Sequence, residues 1–183
     1  MKNADLETIR RARDGSAPDF ERLVSHYSQF AFRIALGILD NRNDAEELVQ
    51  EAFVTVYHRL TGLKGIGSFP AWLAKIVTNL CLQRLKKRPP LVSLQVLGDR
   101  PETNDHTTDP EAAYLKRENS MIVWRAIREL PDSCRVTLIL REFQGCSYAE
   151  IAHILGIPPG TVKSRLHQAR TLLARKLDPD REV

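Results

Sequence analysis

The stretch Ser147-Tyr148-Ala149-Glu150-Ile151-Ala152-His153-Ile154-Leu155-Gly156-Ile157-Pro158-Pro159-Gly160-Thr161-Val162-Lys163-Ser164-Arg165-Leu166-His167-Gln168-Ala169-Arg170 decides how the C-terminal part of the chain folds. Ser147 and Glu150 have the spacing of a capping box, in which a hydroxyl and a carboxylate satisfy the orphan amides of a helix start. Gly145, just before them, suits the stop of a preceding helix. Ile151, Ala152 and Leu155 then form an apolar face, Gly156 allows a left-handed turn, Ile157 plugs the core, and Pro158-Pro159 restart the chain. Val162, Leu166, Ala169 and Leu173 line the helix that follows. This is the grammar of a helix-turn-helix over Ser147 to Leu177: small Ala152 lets two helices cross closely, Gly156 makes the turn, and Val162 anchors the second helix.

What stays outward on that second helix is Thr161, Lys163, Ser164, Arg165, His167, Gln168 and Arg170, a set of donors suited to phosphates and to base edges in the major groove. From Thr161 to Leu177 there is no acid, although Lys163, Arg165, Arg170, Arg175 and Lys176 are all present. A purely structural hairpin would gain from Glu placed four residues before such cations. The exclusion of acid therefore points to a polyanion, and the pattern reads as duplex DNA recognition.

Upstream, apolar residues recur at helical spacing through Phe20, Leu23, Val24, Tyr27, Phe30, Ala31, Ile34, Ala35 and Ile38, and again through Leu48, Ala52, Phe53, Val56, Tyr57 and Leu60. Pro18 fits the first turn of one helix, and Asn43 with Glu46 resembles a capping box for the other. The Gly-containing stretch Thr61 to Gly67 precedes a third helix from near Ser68 to Arg88, with Pro70 in its first turn. Pro89-Pro90 end it, and residues 89–109 are rich in Pro, Asp, Asn and Thr, the composition of a flexible linker. Helices are expected again over Pro110 to Leu130 and Asp132 to Phe143. No alternating strand pattern competes, so the fold class is all-α: two small helical domains, 1–88 and 110–183, on a tether.

The net charge of +4 over 183 residues becomes informative once it is placed. Residues 61–90 carry six Lys and Arg and no acid, whereas residues 1–60 carry eight against ten Asp and Glu. Two separated basic surfaces fit two contacts with a polyanion, the alternative being solvated helix faces. Three cysteines, Cys81, Cys134 and Cys146, form no CxxC pair and no Cys/His spacing for zinc, so they read as core or boundary residues, with a redox role left open. No metal or cofactor is expected. Neither a signal segment nor an apolar run of roughly 18 residues is present, which places the protein in the cytoplasm without membrane insertion. No Ser/His/Asp order or phosphate-cradling Gly loop appears, so an enzyme is not expected.

Three segments taken together carry a resemblance: Asp44-Ala45-Glu46-Glu47-Leu48-Val49-Gln50-Glu51-Ala52-Phe53; Phe69-Pro70-Ala71-Trp72-Leu73 with Asn79-Leu80; and Gly160-Thr161-Val162-Lys163-Ser164-Arg165-Leu166 with Ala169-Arg170. In this order, over nearly the whole chain, they resemble the extracytoplasmic-function group of the sigma-70 family of RNA polymerase sigma factors. The resemblance makes 1–88 a region 2-like helical bundle and 110–183 a region 4-like helix-turn-helix domain. It implies promoter-specific initiation with core RNA polymerase and promoter DNA as partners, and an anti-sigma factor that holds the protein inactive.

Residue by residue, the resemblance implies that Asp44, Glu47, Gln50 and Glu51 meet the clamp helices of polymerase, while Leu48, Phe53 and Val56 hold the core. Glu and Gln on one stripe suit a protein partner better than DNA. Lys64, Lys75, Asn79, Arg84, Lys86, Lys87 and Arg88 would hold the opened −10 strand, Asn79 offering both donor and acceptor to a base. Trp72 has two readings, a stacking platform or a core residue beside Leu73, Ile76 and Leu80. Arg141 would contact the DNA backbone, and Lys163, Ser164, His167 and Gln168, flanked by Arg165 and Arg170, the −35 element. Gln168 departs from the Arg common in the family, and Gln pairs with adenine where Arg favours guanine. The rival function is a conventional helix-turn-helix repressor or activator, which would bind a palindromic operator without polymerase.

Overall fold

The computed structural model describes residues 3–63, 65–87 and 121–178, the first three of these for their backbone only. The described residues divide into two compact units, 3–87 with His153–Gly156 and 121–152 with 157–178. The 89–109 linker, Lys64 and Arg88 lie outside the described residues. Among the described residues there is no strand, and no helix is long and apolar enough to cross a membrane.

In the first unit α1 spans Asn3–Arg13, α2 Ala17–Leu39, α3 Arg42–Arg59 and α4 Phe69–Lys87. Helix α2 starts on Ser16, whose Oγ accepts from the Asp19 amide, with Pro18 in the first turn as expected. It ends at Asp40, which takes a left-handed φ of 54° and returns its amide to the Leu36 carbonyl at 2.9 Å. Asn41 then caps α3 by accepting from the Asp44 amide at 3.0 Å. The cap therefore sits two residues earlier than the Asn43/Glu46 pattern indicated. Both of those residues are already helical, and Glu46 pairs with Arg42 instead.

The core of this unit is one layer of side chains from all four helices. Leu23, Ile34 and Ile38 of α2, Leu48 and Val56 of α3, and Phe69, Leu73 and Val77 of α4 are buried together with Ile9 of α1. Each such side chain contributes on the order of 1.5–3 kcal/mol on leaving water. Helix α1 was not foreseen, because its apolar stripe of Leu6, Ile9 and Ala12 is only one residue wide per turn and reads as weak periodicity.

In the second unit α5 covers 121–128 in its described part, α6 Asp132–Leu138, α7 Tyr148–Leu155 and α8 Pro159–Leu177. Helix α6 does not run unbroken to Phe143. Ile139–Phe143 is a π-helical turn, which widens the backbone ring by one residue and rotates the side chains that follow. The capping box forms with both of its bonds: Glu150 accepts from the Ser147 amide at 2.7 Å, and Ser147 Oγ accepts from the Glu150 amide at 3.2 Å. Gly156 takes φ of +66°, and the Ile157 amide returns to the Ala152 carbonyl at 3.1 Å, closing α7 before α8 begins. Ile151, Val162, Leu166 and Ala169 are buried, as the apolar spacing of α7 and α8 requires, and α8 packs on α6. Ile157, Leu155 and Leu173 are half-buried.

Candidate nucleic-acid interface

On α8 the buried residues Val162, Leu166 and Ala169 recur at the helical period, which leaves Lys163, Ser164, His167, Gln168 and Arg170 exposed together. Arg165 is half-buried at the margin of this face. Side chains on it differ in how they are held. Ser164 Oγ donates back to the Thr161 carbonyl at 3.0 Å. Arg170 donates to Glu142 at 2.8 Å, and that carboxylate holds the guanidinium still more firmly protonated. Lys176 pairs with Glu129.

Arg141, on the π-helical turn, is drawn inward. Its Nη1 donates to the Cys146 carbonyl at 2.9 Å, and the guanidinium lies 5.3 Å over the Tyr148 ring. It is half-buried, with its head fixed beside the start of α7. The sequence reading missed Glu142, because an acid on a different helix belongs to no local pattern of α8.

In the first unit the acidic stripe of α3 is exposed at Glu47, Gln50 and Glu51 and half-buried at Asp44. Arg84 of α4 reaches it: its guanidinium lies 3.0 Å from Glu47, 3.7 Å from Asp44 and 3.8 Å from Glu51. Two residue sets that the sequence reading kept apart thus meet at one cation. Helical geometry explains why. At 3.6 residues per turn, Lys75, Asn79 and Lys86 fall on one side of α4, and Arg84 falls on the opposite side, toward α3. Asn79, Lys86 and Lys87 are exposed and Lys75 is half-buried.

Trp72 also falls on the Lys75 and Asn79 side. It is half-buried against Phe69, with ring centroids 6.0 Å apart, while Leu73 and Ile76 are buried and Leu80 is half-buried. The core face of α4 passes through Phe69, Leu73, Val77 and Cys81, one step round from Trp72, so the grouping of Trp72 with the core is corrected to an edge position. Tyr57, expected with the apolar face of α3, is 61% exposed and meets the rings of Phe20 and His58 edge-on, at 5.1 and 5.6 Å. With Val54, 59% exposed, it continues the stripe of Glu47, Gln50 and Glu51 by one and two further turns.

A chain of helical units with a formed helix-turn-helix, an acid-free outward face on its second helix and no strand among the described residues is a DNA-binding transcription protein. Residues 23–89 match the Sigma-70 region 2 family and residues 120–173 the Sigma-70, region 4 family. The chain is 33% identical to the ECF RNA polymerase sigma-E factor of Haemophilus influenzae, over 96% of each chain. It is 31% identical to the RNA polymerase sigma-H factor of Pseudomonas aeruginosa, covering 96% of this chain and 94% of that one. It is likewise 31% identical to the ECF RNA polymerase sigma factor SigW of Bacillus subtilis, over 92% and 94%.

Among solved structures, CnrH in complex with the cytosolic domain of CnrY shares the fold at a TM-score of 0.70 and 24% identity, over 98% of this chain and 100% of that one. The sigma factor RpoE of Bartonella quintana, in complex with the anti-sigma factor NepR, shares it at 0.71 and 23%, over 89% and 99%. This chain belongs to the sigma-70 family, in the extracytoplasmic-function group. Membership sets aside the conventional repressor or activator and any enzymatic role: a sigma factor is an initiation factor and performs no covalent chemistry.

Proposed function

We propose that the protein is a dissociable specificity subunit that binds core RNA polymerase in the cytoplasm and directs it to promoters through two elements, −35 and −10. The observation that carries this reading is the acid-free face of α8, where Lys163, Ser164, His167 and Gln168 stand exposed over buried Val162, Leu166 and Ala169. An α-helix fits the major groove, and these side chains supply donors for base edges, while Arg165, Arg170 and Arg141 supply cations for phosphates.

The −10 strand is assigned to the Lys75, Asn79 and Lys86 side of α4, with Lys87 beside it; Lys64, assigned with them from the sequence, lies outside the described residues. Unstacking a base costs a few kcal/mol, and half-buried Trp72 and exposed Asn79, two turns apart on the same side of α4, offer a stacking surface and a hydrogen-bonding amide that offset it. Arg84 is assigned to the α3 stripe rather than to DNA in the free protein. Asp44, Glu47, Gln50 and Glu51, extended by Val54 and Tyr57, form the polymerase-binding surface: acids for basic partner groups and an exposed apolar end for contact area. An anti-sigma factor is assigned as a further partner, as NepR is in the complex with RpoE.

Two domains that bind weakly alone gain effective concentration when polymerase holds both over one promoter. The test is reconstituted transcription with bacterial core polymerase on a pool of genomic fragments, with and without this protein. Initiation at discrete starts only when it is present supports the reading; DNA binding without core binding or initiation overturns it.

A further inference from the structure

Cys134 sits in the first turn of α6 and is 1% exposed. Its Sγ lies 3.4 Å from Oε1 of Gln168, which is exposed on α8 among the residues of the DNA-facing set. An amide oxygen only accepts, so the thiol is the donor in this contact. The thiol engages the oxygen end of the carboxamide, and the NH2 end of the exposed Gln168 is left for another partner.

We propose that Cys134 is a positioning residue that sets which base Gln168 reads, an inference that rests on the assignment of Gln168 to the −35 element. A free Gln pairs with adenine through both ends of its amide, accepting from N6 and donating to N7. A Gln whose oxygen is already engaged by a thiol has one lone pair spent and its orientation fixed, so it presents its two N–H donors more readily than its oxygen. Guanine, with N7 and O6 both accepting at the major-groove edge, satisfies those donors, as it satisfies an Arg. Held by Cys134, Gln168 reads like the Arg it replaces and favours guanine; released, it favours adenine. A thiol is a weak donor, so the bias is modest, about threefold between the two bases.

The experiment uses the holoenzyme, this full chain on bacterial core polymerase, and promoters carrying each of the four bases at every −35 position. Gln168→Ala first locates the position whose preference it abolishes. At that position Cys134→Ala and Cys134→Val, which lack a donor, are expected to move the preference from guanine toward adenine by about threefold, whereas Cys134→Ser, which keeps one, retains guanine. In a Gln168→Ala background the Cys134 variants are expected to change nothing further. Melting temperatures of all variants separate packing from reading, and Val and Ser bracket the volume of Cys should Ala fold poorly. Cys134 variants that keep the wild-type preference, or that depress all four bases equally, overturn the positioning role while leaving Gln168 as a reader. A Gln168→Ala protein with unchanged preference at every position removes the −35 assignment of Gln168 and this proposal with it.

Discussion

Nη1 of Arg84 stands 3.0 Å from Oε2 of Glu47, joining the basic end of α4 to the acidic stripe of α3. Asp44 and Glu51 lie within 3.8 Å of the same guanidinium. All four groups are at least partly open to water, where an ion pair contributes about 0.2–1 kcal/mol. The cluster is therefore cheap to open, and a basic group on a partner competes with Arg84 for the same carboxylates. Arg84→Gln is expected to tighten binding to core polymerase roughly two- to fivefold while shifting the melting temperature by only a few degrees. Titration of labelled protein with core polymerase reads this, and weaker core binding would show instead that Arg84 holds the stripe in its binding shape.

The division of labour between the two units is separable by mutation. Lys163→Ala with His167→Ala is expected to lower −35-dependent initiation about tenfold or more, as lost base and phosphate contacts do, with core binding intact. Gln50→Ala with Glu51→Ala is expected to weaken core binding and to leave −35 preference unchanged. Damage to the same step by both pairs would contradict the assignment.

Acid should loosen the start of α7 in a predictable direction. The Ser147 amide, and secondarily its hydroxyl, hold the Glu150 carboxyl below its ordinary value of 4.5. A lowered carboxyl contributes stability above that ordinary value and loses it as pH falls through the folded-state value. Glu150→Gln keeps a capping-box acceptor without a titrating group. Its stability, read by denaturant unfolding from pH 6 to pH 3, is expected to fall less steeply than that of the wild type; identical slopes would mean that this carboxylate is not coupled to folding.

Gly156 tests the turn. Its φ of +66° is costly for a side chain, yet a Cβ there would meet nothing within 4 Å. Gly156→Ala is therefore expected to cost about 1–2 kcal/mol from backbone strain alone, and Gly156→Asn less, because Asn tolerates the left-handed region. Chemical denaturation of the three proteins measures the order, and equal losses for Ala and Asn would point to crowding rather than strain.

The thiols are expected to be slow. Burial pushes the Cys81 thiol up to about 12 and raises that of Cys146, where the nearby Glu150 carboxylate adds to the effect. The thiolate is the reacting species, so a disulfide reagent at neutral pH should modify the native protein slowly and all three cysteines promptly after unfolding. Fast modification of one cysteine in the folded state would restore a redox-sensing role for it.

The helix-turn-helix was legible in the sequence because its instructions are short-ranged. The Ser147 and Glu150 box acts across three residues, Gly156 acts on its own backbone, and the spacing of Val162, Leu166 and Ala169 declares which side of α8 is dry. The same locality made α2, α3 and α4 readable, and it misled where several local solutions were open, as when Asn41 rather than Asn43 took the cap. What tertiary structure alone decided are the contacts between residues far apart along the chain. Arg84 and Glu47, 37 positions apart, meet because α3 and α4 turn those faces toward each other. Cys134 and Gln168, 34 apart, meet because α6 packs on α8. Tyr57, one turn beyond buried Phe53 on the same row of α3, is left in water, which the periodicity alone does not tell. Periodicity states that a helix has a dry face; which neighbour covers that face, and which charge that neighbour brings, depends on packing in three dimensions.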